Sequence, residues 1–512
     1  MTEERRSGGR RGKAARTGAG LVQLPWRNVE NPYAPLEMAD PEAMDRLHAT
    51  SIRILSELGI RVVGDKIITL FEKAGALVDR DSGIVRIDES IVTAALATVP
   101  RAFTLTPRNP ARRLTFGGRA LNFGLVAGPP NVHDRLRGRR PGNMADYADF
   151  IRLAQHFNAI HMIGNQVAAP QELPTNTRHL DCYLANLMLS DRAYHCTAIG
   201  RGRAMDGIRM MAISRGITLD QIAADPGVIT IISVNSPRLF DQEMGEGLIA
   251  MAEHGQPVTI TPFTLMGAMT PVTLAAALAQ QNAEALFGIT LTQLVRPGAP
   301  VMYGAFTSNV DMRSGAPAFG TPENTRANVI AGQLARRYGL PYRSSNSNAS
   351  NACDLQAAYE TSMATWGAVM GGANLIYHAA GWLEGGLTAS FEKLVLDVEI
   401  LQNMMEILRP FDASDAELGF DAIAGVPTGG HFFGSPHTME RYETAFYRPL
   451  LSDWTNHGAW EAAGSHDALD RATGIWQQAL KDYEEPAIDP AIREELEAYV
   501  ANRKQDIGQD EP

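Results

Sequence analysis

The sequence predicts an α/β protein built on a (β/α)8 TIM barrel with N-terminal and C-terminal helical additions. Three observations carry that reading. Eight short apolar, β-rich runs follow one another at residues 121–126, 159–164, 193–199, 228–234, 257–263, 300–306, 340–345 and 374–379. Their starts lie roughly 30 to 45 residues apart, the length of a strand, a loop and a crossover helix. Between them, segments 147–157, 178–189, 241–254, 272–294, 325–338, 355–370 and 391–408 carry helical periodicity. The turn after the first run reads Gly124-Leu125-Val126-Ala127-Gly128-Pro129-Pro130, and its two prolines are a poor start for the phosphate-cradling helix of an open doubly wound sheet. Eight units in series then point to a closed barrel.

Taken in order, residues 1–35 are expected to form a disordered basic arm, with Arg5, Arg6, Arg10, Arg11, Lys13 and Arg16 in a Gly-rich context. No apolar stretch follows the arginines, so a twin-arginine export signal is not expected. Residues 36–115 read as a helical cap, since Leu47, Ile52, Leu55 and Leu58 recur at helical spacing, as do Ile67, Ile68 and Phe71. The barrel is assigned to 116–435. Residues 436–505 return to helix, with Asp489 placed to cap and Pro490 in the first turn, and are expected to pack on the barrel's outside.

The formal net charge of −11 disfavours nucleic acid and anionic membranes as partners. No apolar run approaches the roughly 18 residues of a spanning helix. Cys182, Cys196 and Cys353 lie far apart without a CxxC pairing, which fits a reducing, cytoplasmic location and gives no thiolate zinc motif.

In such a barrel the working residues sit at the carboxyl ends of the strands. These ends are rich in aromatics and amides and poor in Lys, Arg and clustered carboxylates, which argues against a polyanionic substrate or a resident metal centre. Phe263, Phe306, Tyr377 and Trp382 are candidates for an aromatic cage around an alkylated cation, with Glu384 adding charge. The bland alternative for each ring is core packing. His431 and His437, six apart in a Gly- and Phe-rich loop, read as loop or partner-contact residues.

Several long motifs resemble the trimethylamine methyltransferase family. They are Gly267-Ala268-Met269-Thr270-Pro271-Val272-Thr273, Ala279-Gln280-Gln281-Asn282-Ala283-Glu284, Ser308-Asn309-Val310-Asp311-Met312-Arg313-Ser314-Gly315 and Tyr377-His378-Ala379-Ala380-Gly381-Trp382-Leu383-Glu384-Gly385-Gly386, with Gly429-Gly430-His431-Phe432-Phe433 further on. The resemblance implies a barrel enzyme that moves a methyl group from an amine to the Co(I) corrinoid of a partner protein, and no cofactor bound in this chain. Family members acting on trimethylamine carry pyrrolysine just before the segment matching Asp354-Leu355-Gln356-Ala357. Here that loop reads Asn348-Ala349-Ser350-Asn351-Ala352-Cys353, all standard residues, and relatives of that kind resemble demethylases of quaternary amines such as betaines. Phe306, Tyr377 and Trp382 are then expected to hold the ammonium, Asn309, Arg313 or His378 to meet a substrate carboxylate, and Asn351 to lie at the site. A homo-oligomer is also expected. The alternatives are a zinc- or acid-base-assisted corrinoid methyltransferase using Cys196, Cys353 and His378, and a non-catalytic binder of quaternary amines.

Overall fold

The computed structural model describes residues 21–507, so the basic residues from Arg5 to Arg16 lie outside the described part. Eight parallel strands form its centre: β1 (Ala120–Leu125), β2 (Met162–Ile163), β3 (Ala193–His195), β4 (Val228–Ile232), β5 (Val258–Ile260), β6 (Val301–Gly304), β7 (Tyr342–Ser345) and β8 (Leu375–Ala380). Each pairs with the next, and β8 returns to β1 through Leu375↔Asn122 and Ile376↔Phe123, so the barrel is closed. All eight fall within or against the runs predicted from sequence.

Each strand is followed by a helix: α1 (Met144–His156), α2 (Arg178–Leu189), α3 (Arg201–Arg215), α4 (Gln242–Glu253), α5 (Leu274–Val295), α6 (Pro322–Arg337), α7 (Leu355–Met370) and α8 (Phe391–Ile407). Local chemistry sets their starts. Asn143, Asp241, Thr321, Asp354 and Ser390 each accept an N–H of the first turn on a side-chain oxygen. Sequence periodicity finds seven of these helices and misses α3. That helix is buried from Ala204 to Ser214 at nearly every position, because α2, α4 and the C-terminal helix Pro490–Asp506 all pack on it. A helix covered on all sides has no polar stripe to give it a period.

The N-terminal layer departs in part from the helical cap expected for 36–115. Helices Pro41–Arg53, Asp65–Lys73 and Glu89–Leu96 lie on α5, but strands Ile60–Val62, Leu77–Asp79 and Ile84–Arg86 form a small sheet with Leu239–Phe240. Strands of three residues are too short to show alternation. A hairpin, Phe103–Leu105 with Leu114–Phe116, seals the barrel's amino end against Met162, Ala193, Ile229, Met302 and Leu375. Residues 21–35, expected to continue the arm, are instead tied to the barrel: Val29–Glu30 pairs with β1, the Leu24 N–H donates to Gln402 Oε1 at 2.6 Å, and Asn31 Nδ2 donates to the Val369 carbonyl at 3.1 Å.

The barrel ends with α8, before residue 435. From 409 to 449 the chain is exposed along almost its whole length, with Phe411 87% and Phe433 82% accessible. It returns to the body at Glu399 on α8, whose Oε2 accepts from Tyr447 Oη and the N–H groups of Leu450 and Leu451 while Oε1 accepts from Ser452 Oγ. Helix Ala468–Lys481 then packs on α8 through Trp476 on Phe391, with ring centroids 5.0 Å apart. Helix Pro490–Asp506 is held to α3 by Tyr499 Oη and Arg503 Nε, both donating to Asp206 Oδ1.

Inside the barrel, close approach demands glycine at Gly304. A Cβ there would overlap Thr261 Oγ1 and lie 2.7 Å from the Ile260 carbonyl oxygen. Gly304→Ala is expected to cost about 1–3 kcal/mol of stability, as overpacking does. Urea unfolding measures it, and an unchanged midpoint contradicts the close packing of β5 on β6.

Candidate active site

Parallel pairing places Arg343 beside Leu375 and Ser345 beside Tyr377, and partners in register share a face. Leu375 and Tyr377 belong to the interior cluster, so Arg343 points inward too. Arg343 and Tyr377 floor a cavity of about 260 Å³ at the carboxyl end of the strands. Its size is just below the roughly 300 Å³ at which drug-sized sites begin, which suits a small ligand.

Tyr377 reaches from β8 across the barrel. Gly124 on β1 makes room, since a Cβ there would lie 2.8 Å from Tyr377 Cδ2. Tyr377 Oη accepts the Asn165 N–H at 2.8 Å and shares a short hydrogen bond with His195 Nδ1 on β3. His195 Nε2 accepts the Ile231 N–H at 2.9 Å, so the neutral ring carries its proton on Nδ1 and donates it to Tyr377. Burial, aided by the nearby Arg343 charge, pushes His195 down to about 3 and keeps it neutral.

The next residue also faces the cavity. Regular alternation would turn His378 outward, but its φ is +57° and the register against β1 shifts between Ile376 and Ala380. The ring lies 4.2 Å from Trp382 and 5.9 Å from Phe306 between centroids, and Nδ1 accepts the Ala127 N–H at 3.3 Å. Burial, then Arg343 and His195, hold His378 well below its ordinary pKa.

Phe263 and Phe306 form the opposite wall. They stand in register on Phe263–Met266 and Phe306–Val310, parallel extensions beyond β5 and β6, with rings edge-on at 5.0 Å. Phe319 stacks behind Phe306 at 5.2 Å.

Phe263, Phe306, Tyr377 and His378 therefore line one cavity. Trp382 stands a layer behind: its Nε1 donates to the Asn348 carbonyl at 3.2 Å, and its ring backs His378 and Phe306. The other expected site residues are engaged elsewhere. Asn309 Oδ1 accepts from Thr321 Oγ1 at 2.9 Å. Arg313 is exposed in a turn built on Asp311. Asn351 is exposed in the loop before α7. Glu384 pairs with Arg139, Nε and Nη2 donating at 2.8 and 3.1 Å, and is not among the residues lining this cavity. Burial raises the Glu384 carboxyl, but the Arg139 and Thr388 hydrogen bonds more than offset it and hold it below the usual range.

With this geometry in place, comparison with known proteins decides the family. The family model described as trimethylamine methyltransferase (MTTB) matches residues 5–508. The chain belongs to that family. Glycine betaine methyltransferase of Desulfitobacterium hafniense (strain Y51) is 34% identical over 92% of this chain and 97% of its own. Proline betaine:corrinoid methyltransferase of Eubacterium limosum is 29% identical over 86% and 91%, and trimethylamine methyltransferase of D. hafniense (strain DSM 10664 / DCB-2) is 26% identical over 91% and 94%. The chain is thus an enzyme of the methyltransferase class.

Other features of this family member follow from the same geometry. The cysteines do not meet at the site: Cys196 packs on Gly207 and lies 3.7 Å from Met251 Sδ, and Cys353 packs with Ala357 and Leu383. Burial pushes both thiols up to about 12. Among the described residues no three His, Cys, Asp or Glu side chains are placed to hold a metal ion. His195 and Arg343 line the cavity too, and a reading of strand ends passes over them because they lie inside the runs. Counting inward positions by twos along each strand reaches both.

Tyr377→Phe leaves the Asn165 N–H and the His195 Nδ1–H without an acceptor, at about 1–3 kcal/mol for each buried donor. Chemical denaturation should show that loss, and wild-type stability removes the phenol from its bridging role. Because burial depresses both imidazoles, NMR should find His195 and His378 neutral across about pH 5 to 8. A midpoint near 6.5 for either ring contradicts its placement.

Proposed function

We propose that this enzyme takes a methyl group from a quaternary amine of the betaine type and passes it to the corrinoid of a separate protein docked over the barrel's carboxyl end. The observation that carries this reading is the set of rings from Phe263, Phe306 and His378 around a small cavity whose imidazoles are both neutral. Aromatic faces attract a cation whose methyl groups leave it no hydrogen bonds to give. A quaternary nitrogen departs as a neutral amine and needs no proton, so a cavity with neutral histidines and no Asp or Glu among its described lining residues suffices. The standard residues of loop 348–353 support the same substrate class, as do the glycine betaine and proline betaine relatives.

The corrinoid supplies the reduced nucleophile that accepts the methyl group. A cavity of about 260 Å³ is far too small for a corrinoid macrocycle, which supports its presentation from outside by a partner. The chain's own work is to hold the ammonium against the rings, exclude water and aim one methyl at the mouth.

A cytoplasmic homo-oligomer is part of the proposal. Cys182, Cys196 and Cys353 are unpaired and buried, and among the described residues no helix is long and apolar enough to cross a membrane. Phe411, Phe420, Phe433 and Phe446 are exposed on the segment 409–449, an apolar surface suited to a second copy.

Purified enzyme with a reduced corrinoid protein should demethylate a quaternary amine, read by mass spectrometry of the tertiary amine and the corrinoid's visible spectrum. Turnover of trimethylamine but of no quaternary amine overturns the proposal. Phe306→Ala should weaken substrate binding by about 2- to 30-fold, the range of one cation–π contact.

A further inference from the structure

Arg192 and Arg343 are the largest fully buried side chains, and they differ in one respect. Arg192 is a structural clamp: Nη1 donates to the Phe157 carbonyl at 3.1 Å and Nη2 to the Gln155 carbonyl at 2.9 Å, outside the cavity. Arg343 lines the cavity. Of its five N–H donors, one is used among the described residues, Nη1 to the Ala305 carbonyl at 3.2 Å, and the buried Nε has no partner. It makes no ion pair there. Its guanidinium lies 5.3 Å from the ring centroids of both Phe306 and Tyr377.

The described residues lining this cavity include no Asp or Glu. Both lining histidines are neutral, so among the described lining residues Arg343 gives the site a net positive charge. Such a site repels a bare quaternary ammonium, and the rings that would receive one already face a guanidinium. The conflict disappears if the substrate brings its own anion. A second donor is at hand: Tyr377 Oη accepts from Asn165 and His195, which leaves its own proton without an acceptor among the described residues.

We propose that Arg343, assisted by the Tyr377 hydroxyl, binds a carboxylate on the substrate, so that a zwitterion lies with its carboxylate on the barrel floor and its ammonium at the Phe263–Phe306 rim. This rests on the quaternary-amine reading above and goes further in naming a specificity-determining residue and an orientation. The orientation has a chemical use. It places the methyl groups at the open end, where an external acceptor can reach them, and the charged anchor at the closed end.

Calorimetric binding to the whole enzyme, without corrinoid protein, tests the proposal separately from turnover. The probes are glycine betaine, choline (its alcohol counterpart) and 3,3-dimethylbutanoate, in which carbon replaces the quaternary nitrogen. Glycine betaine should bind at least about tenfold more tightly than choline, the worth of one charged hydrogen bond. Arg343→Met should remove that preference, and Arg343→Lys should restore part of it. Equal affinity for glycine betaine and choline, or a preference that survives in Arg343→Met, overturns the role of Arg343 and leaves the quaternary-amine reading standing. If 3,3-dimethylbutanoate binds as tightly as glycine betaine, with both lost in Arg343→Met, the anion site stands and the quaternary-amine reading falls. Thermal melts show whether each variant folds. If Arg343→Met does not, the wild-type ligand series and Arg343→Lys still decide.

Discussion

In β8 two consecutive residues, Tyr377 and His378, face the same cavity, and ordinary strand geometry forbids that. The backbone leaves it at His378, with φ at +57° and the register against β1 broken. A left-handed conformation at a non-glycine residue costs of order 1 kcal/mol or more, so surrounding contacts must hold it. They do so in layers. Trp382 backs the imidazole, Asn348 locks Trp382 by donating Nδ2 to its carbonyl at 2.8 Å while accepting its indole N–H, and Gly386 leaves space, since a Cβ there would stand 2.5 Å from the indole ring. One step away, Tyr377 ties β8 to the end of β2 and to β3, and His195 extends the chain of hydrogen bonds to β4. This hydrogen-bond chain therefore joins four strands.

The site's electrostatics rest on Arg343. Burial pulls its pKa down to about 10, which still leaves it a cation at neutral pH. Two rings compensate part of the desolvation, each worth roughly 0.5–2 kcal/mol. Two like charges about 6 Å apart repel by roughly 3 kcal/mol at an effective dielectric constant of 20. That exceeds what one aromatic contact returns, so under the proposed orientation charge outweighs a single ring contact in the choice of ligand.

The barrel was legible because its strands are continuous apolar runs, as strands buried on both faces must be. What escaped was short or uniformly covered: the three-residue strands at Ile60–Val62 and Ile84–Arg86, and α3, whose burial erases periodicity. At the cavity, Phe263, Phe306, Tyr377 and His378 stand out in the sequence as rings at strand ends, and all four line it. Arg343 is less conspicuous because it lies inside its run, two residues before the strand end at Ser345. Glu384, Arg313, Asn309 and Asn351 sit near those rings in sequence, yet Glu384 and Asn309 have side-chain partners away from the cavity, and Arg313 and Asn351 face solvent.

Glu399 has a reach beyond its own hydrogen bonds. By gathering Tyr447, Leu450, Leu451 and Ser452 on one carboxylate, it closes the segment 409–449 into a loop whose two ends meet α8. Lengthening a closed loop adds only about 0.6 kcal/mol per doubling. The segment between those anchors is exposed along almost its whole length, so a change in its length bears on the outer surface rather than on the cavity inside the barrel.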